Sequence, residues 1–196
     1  MAFKIEEKFD VQAPLERVWD YLIDPARVVV CLPGAELLES QGDQTYLGAV
    51  KVKVGPLSMS FKGTVKFAEI DAQNHQVRIV GEGRDLGGGG SAKMTMVSKV
   101  TTIGGGGSAI EVTAEMDLVG KIVQFGRGMI EEVSKQLFRQ FSACVKQQLE
   151  TAPDAGNSET APAAEPKAVS AAPLAMRALW AVLVRFVKRL FGKGHE

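Results

Sequence analysis

Apolar and charged side chains alternate from Phe3 to Val11, with Phe3, Ile5, Phe9 and Val11 on one face and Lys4, Glu6, Lys8 and Asp10 on the other. A period of two is that of a half-buried strand, so the spacing predicts a β-strand here. Glu7 interrupts its apolar face. The period then lengthens. Leu15, Val18, Trp19 and Leu22 recur at helical spacing behind Pro14, and Pro25 ends that helix or opens a second short one through Val30, closed by Pro33-Gly34.

Between Glu36 and Leu118 the period of two returns. After a short, weakly patterned strand from Glu36 to Gln41, Tyr46, Val50, Val52 and Val54 alternate with Lys51 and Lys53. Leu57, Met59, Phe61, Val65 and Phe67 alternate with Ser58, Ser60, Lys62 and Lys66, with Gly55-Pro56 as the turn between the two runs. Three more runs follow: Val77, Ile79, Gly81 and Gly83; Met94, Met96 and Val100; Ile110, Val112, Ala114, Met116 and Leu118. Consecutive strands joined by short turns imply an antiparallel meander.

From Lys121 to about Glu150 one apolar stripe (Ile122, Phe125, Met129, Ile130, Val133, Leu137, Phe141, Cys144) stands apart from Arg127, Glu131, Lys135 and Arg139. This predicts a helix of about 28 residues, about 40 Å long. A single stripe packs along a single surface, and the sheet is the only large one available. The folded domain is therefore expected to span residues 1–150.

Residues 151–172 are rich in Ala, Pro, Ser, Glu and Asp and show no periodicity, the composition of a disordered linker, with a mean span of roughly 25 Å as a coil. In residues 173–196 helical order returns. Leu179, Trp180, Leu183, Val184, Phe186, Val187, Leu190 and Phe191 cluster on one side of the wheel and Arg177, Arg185, Lys188 and Arg189 on the other. A basic amphipathic helix with aromatic residues on its apolar face is the pattern of a helix lying in the membrane plane. Its longest uncharged run, Ala178 to Val184, is too short to span a bilayer. Attraction to anionic lipid is worth about 1 kcal/mol per basic residue, so binding is expected to be reversible and salt-sensitive. A helix docked on a partner protein or on its own domain is the alternative.

Charge follows this division. The chain has 23 basic and 23 acidic residues; residues 1–150 hold 17 against 19, and the last 24 hold five against one. A near-neutral body gives no reason to expect a nucleic-acid partner. The two cysteines, Cys31 and Cys144, are too few and too isolated for a disulfide framework or a zinc site, so a reducing compartment fits best. The first residues lack the apolar stretch of a signal peptide, so the protein is expected in the cytoplasm.

Catalytic constellations are thin. His75 falls in a turn beside Asn74, His195 lies at the chain end, and neither has a nucleophile or metal partner nearby in sequence. The glycine runs Gly87 to Gly90 and Gly104 to Gly107 join strand to strand and lack the Lys-Ser/Thr of a phosphate-binding loop, so they read as hairpin turns. Glu7 either meets a polar ligand head or acts as an acid from the inward face, or turns to solvent at a bulge or edge. Met59, Met94, Met96, Met116 and Met129 all fall on the stripes assigned to the interior. Flexible, polarizable methionines suit a pocket for a variable apolar ligand; ordinary core filling is the other reading.

The order of strand, two short helices, antiparallel sheet and long helix resembles the α+β helix-grip fold of the START and polyketide-cyclase superfamily: a curved sheet of about seven strands wraps the long C-terminal helix, with two short helices after the first strand, leaving a cavity between sheet and helix. The run Val119-Gly-Lys-Ile-Val-Gln-Phe-Gly-Arg-Gly-Met-Ile130 resembles the signature of the G-subunit family of carbon monoxide dehydrogenase, with Cys31-Leu-Pro-Gly-Ala-Glu36, Val52-Lys-Val-Gly-Pro56 and Phe61-Lys-Gly63 as further matches.

That resemblance implies an accessory role without catalysis or an intrinsic cofactor. The protein would bring the molybdenum-containing carbon monoxide dehydrogenase to the cytoplasmic membrane, peripherally and on its inner face, so that electrons reach the respiratory chain. Joined to the methionine pattern, it leads to the expectation of a cavity that takes up respiratory quinone, with Met59, Phe61, Met94, Met96, Met116, Phe125, Met129 and Val133 as wall residues. Arg127, pointing off the stripe, is left for partner contact or a helix-end role. A docking protein with a filled core, an assembly factor for the dehydrogenase and a cyclase-type enzyme are the competing expectations.

Overall fold

A computed structural model describes residues 1–55 and 57–151. Backbone contacts divide the chain into Met1–Asp154 and Ala155–Glu196. The second unit, with the linker and the basic helix expected there, lies outside the described residues.

The first unit is a seven-stranded antiparallel sheet and one long helix. β1 (Ala2–Val11) leads through α1 (Leu15–Leu22), α2 (Pro25–Val28) and a 3-10 turn (Val29–Cys31) into the meander β2 (Ala35–Gly42), β3 (Thr45–Val54), β4 (Leu57–Asp71), β5 (Gln76–Asp85), β6 (Gly90–Thr102) and β7 (Ser108–Gly120). The sheet order is β1-β7-β6-β5-β4-β3-β2, so β1 and β2, separated by the two short helices, form opposite edges. α2 starts where Asp24 caps it, its carboxylate accepting from the N–H groups of Ala26 and Arg27.

The predicted helix from Lys121 is shorter than expected. Lys121–Phe125 forms a 3-10 turn and α3 runs from Gly126 to Glu150. Gly120 and Gly126 bound that turn with φ of 102° and 74°, a left-handed backbone that breaks the helix on both sides of Ile122 and Phe125. At 1.5 Å per residue α3 is about 37 Å long.

Two apolar clusters hold α3 to the sheet. Toward the helix C-terminus Phe9, Val11, Trp19, Phe67, Ile79, Ile110, Val145 and Leu149 are buried together, with Phe138 and Phe141 packed edge-on to Phe9. Toward its N-terminus Phe3, Met59, Phe61, Leu118, Ile122 and Ile130 form a second cluster.

The cysteines overturn their expectation, and with it the argument drawn from them for a reducing compartment. Cys31 and Cys144, 113 residues apart in sequence, form a disulfide between the 3-10 turn at Val29–Cys31 and α3. Wide spacing argued against pairing only because the chain's return, which seats α3 beside that turn, cannot be read from spacing. Tyr21 closes the junction: its hydroxyl donates to the Arg27 carbonyl and lies 3.3 Å from the Cys31 sulfur.

Candidate functional site

Helix-facing and outward side chains alternate along the strands, apart from the irregularities after Leu37, Ser40 and Phe67, and the cross-strand register lines them up in rows. One row runs Gly48, Gly63, Gly83 and Ala92 through β3, β4, β5 and β6. The next runs Tyr46, Val65, Gly81, Met94 and Met116 through β3 to β7 and ends on Phe3 of β1. The middle of the helix-facing surface is thus floored by glycine and alanine and bordered by methionine. Small residues in facing positions leave volume that larger side chains would have filled.

The backbone exploits the same glycines. A Cβ on Gly63 would overlap the carbonyl oxygen of Glu82, so β4 and β5 approach there more closely than any side-chain-bearing residue permits. The nearest atoms to a Cβ on Gly81 would be the Met94 Cε at 3.6 Å, the Thr64 carbonyl at 3.7 Å and the Val65 Cγ2 at 3.8 Å, all at ordinary contact distance.

Above this floor α3 makes its closest backbone approaches to β1, β3 and the turn at Val29–Cys31, with β1 and β3 toward the flanks of the sheet. Burial falls accordingly. Val65, in the helix-facing row, is 36% exposed, and Gly63, Gly81, Gly83, Met94 and Met96 are half-buried, as are Val133, Ser134 and Leu137 on α3. The helix-facing surface between the two packed ends is therefore apolar and only partly covered, and the Ser134 hydroxyl beside it already donates to the Ile130 carbonyl.

The predicted wall residues divide. Met94 borders the space, Met96 packs against the cluster near the helix C-terminus, and Met116, Phe125 and Val133 pack against the cluster near its N-terminus. Met59 and Phe61 are buried in that second cluster and close the end of the space. Met129 lies 42% exposed at the rim, its sulfur 3.6 Å from where a Cβ would sit on Gly55. The period of α3 put Met129 on the apolar stripe, but one turn from the helix start it reaches past the sheet edge. The glycine row was missed as a unit, since only register shows that Gly48, Gly63 and Gly83 face one another.

Glu7 occupies a helix-facing position opposite Val112, half-buried in an unbroken β1–β7 register. No bulge turns it away; its partial exposure comes from lying on an edge strand. His75 is engaged elsewhere, edge-on to Trp19 with its Nε2 3.2 Å from Glu16. Among the described residues no three His, Cys, Asp or Glu side chains gather at metal-binding geometry. No described helix is long and apolar enough to cross a membrane. A groove of about 770 Å³ crosses the sheet, lined mostly by outward residues but also reaching Phe3, Gly81, Met94 and Met116 of the helix-facing row. Its charged groups, Lys4, Lys66 and Lys93 against Glu82, Glu115 and Asp117, balance and make it a polar surface.

Solved structures share this architecture. A conserved protein from Geobacillus kaustophilus superposes with a TM-score of 0.69 at 19% identity, covering 76% of this chain and 95% of that one. The Zhui aromatase/cyclase from Streptomyces sp. R1128 gives 0.57 at 16% identity over 76% and 94% of the two chains. A START superfamily protein from Mycobacterium smegmatis gives 0.51 at 12% identity over 75% and 97%. Identities this low establish the helix-grip fold and nothing finer. Comparison with curated protein sequences gives no match. The model of the CoxG family, the G subunit of carbon monoxide dehydrogenase, matches residues 8–150, the whole of the sheet beyond most of β1 and the whole of α3, and the chain belongs to that family.

Proposed function

We propose that the protein recruits carbon monoxide dehydrogenase to the membrane and carries a lipid-soluble molecule, respiratory quinone, in the space between sheet and α3, presenting it to the enzyme as electron acceptor. The observation that carries this reading is the glycine and methionine surface under a helix that stands off it. A quinone has a flat head and a long apolar tail, and such a surface shields the tail from water between bilayer and enzyme. The basic amphipathic sequence of residues 173–196 supplies the route to the bilayer as a peripheral protein, with the inner face of the cytoplasmic membrane as its proposed side.

Organic extraction of the protein purified from a membrane-containing host, followed by mass spectrometry, tests the reading. Quinone near one per chain is expected. An empty extract from folded, membrane-bound protein would leave a docking or assembly factor without a ligand. Trp180→Glu and Phe186→Glu are expected to abolish liposome binding, and unchanged binding in both would overturn the membrane role.

A cyclase-type enzyme is the second reading, favoured by the fold likeness to the Zhui aromatase/cyclase and by the half-buried Glu7 on the helix-facing surface. It requires turnover of a bound apolar substrate that Glu7→Gln would suppress.

A further inference from the structure

Three apolar side chains stand exposed around one end of the domain: Leu86 at 69%, Val119 at 57% and Met129 at 42%. They come from the β5–β6 turn, the end of β7 and the start of α3, and the structure ties these segments together. The Leu86 N–H donates to Ser60 of β4, the Lys121 N–H donates to Gly89 of the β5–β6 turn, and Met129 reaches the β3–β4 turn at Gly55. Exposing isolated apolar residues is ordinary, but three on adjoining tips at one rim of the apolar space form a surface.

The charge around them selects its partner. Lys53, Lys121 and Arg127 are exposed at this end. The carboxylates at this end keep their charge, Asp85 on the backbone N–H groups of Gly89 and Ser60 and Glu131 in its pair with Arg127, so three cations face two anions; Asp117 beside Val119 is balanced by the Met1 ammonium.

We propose that this end of the folded domain inserts Leu86, Val119 and Met129 into an anionic lipid surface, so that the rim of the space between sheet and α3 faces the bilayer. Single side chains on turn tips demand no complementary shape from a partner, which a bilayer does not offer, and the flanking cations meet lipid headgroups. The inference rests on the proposed membrane role but adds a contact independent of the terminal segment.

The test uses the full chain carrying Leu86→Trp and Trp180→Phe, which leaves the buried Trp19 as constant background. With vesicles of phosphatidylglycerol and phosphatidylcholine bearing brominated acyl chains, the fluorescence of the new tryptophan is expected to shift blue and be quenched. In a chain with Trp180 retained, Leu86→Glu with Val119→Glu is expected to weaken vesicle binding at least tenfold, about tenfold being the worth of one buried aliphatic side chain, with unchanged thermal unfolding. Co-sedimented protein whose tryptophan at 86 stays unquenched would overturn the tip contact and leave recruitment by the terminal segment standing. Absence of any co-sedimentation would overturn both. Loss of dehydrogenase binding in the double variant, with no quenching, would reassign the surface to the enzyme.

Discussion

Cys31 and Cys144 are bonded, fastening the turn that follows α2 to the C-terminal half of α3. The closed loop holds β2 to β7, so in the unfolded chain the bond constrains nearly the whole meander. Reduction, or Cys144→Ser, is expected to lower stability by about 2–4 kcal/mol, read as a lower urea midpoint. Alkylation and mass analysis of the unreduced, denatured protein should find no free thiol. Equal midpoints with and without reductant would show that packing alone holds α3 to this turn.

Gly63 and Gly83 face each other across β4 and β5, yet their substitutions should differ. A Cβ on Gly63 would overlap the Glu82 carbonyl oxygen, whereas one on Gly83 would lie 3.5 Å from the Lys62 carbonyl oxygen. Gly63→Ala is expected to cost about 1–3 kcal/mol. Gly83→Ala should stay within about 1 kcal/mol of the parent, on the stabilising side, because alanine restricts the unfolded chain. Thermal unfolding of the pair checks this, and equal losses would contradict the close approach at Gly63.

Asp85 accepts hydrogen bonds from the Gly89 and Ser60 N–H groups, and the Gly89 bond is the main reason its carboxyl titrates below the ordinary range, against the opposing effect of desolvation. A depressed folded pKa contributes stability that is fully present above the unfolded value of about 3.9 and is lost as pH falls through the folded one. Asp85→Asn is therefore expected to reduce stability at pH 7 and to make its decline below about pH 4 shallower. Asp43, Asp71 and Glu111, held low by Lys66, Asn74 and Lys8, keep part of that decline in place. Urea midpoints across pH 2 to 7 measure the difference, with roughly these limits set by the carboxylate range.

Gly81 offers a way to fill the proposed site without breaking the sheet, because its Cβ position is open to ordinary contacts. Gly81→Phe should preserve folding and remove bound lipid from the purified protein, while Met129→Ala at the exposed rim should retain it. Full lipid content in Gly81→Phe would move the ligand away from the glycine floor.

The local pattern of the chain determined the strands, the two short helices and the helical character of the last described segment, because a strand's period of two and a helix's 3.6 follow from backbone geometry alone. It also carried the family signature around Gln124 to Ile130. What pattern left undecided is everything set by residues distant in sequence. Cross-strand register brings Gly48, Gly63 and Gly83 into one row, and chain return brings Cys31 to Cys144. The same holds for the division of the methionines. Period alone placed all five inside, but burial depends on what stands opposite: Met59 meets a packed cluster, Met94 an open floor, and Met129 the rim. Only the tertiary structure, by fastening α3 at both ends of the sheet, decides which apolar surface is packed core and which is left partly covered.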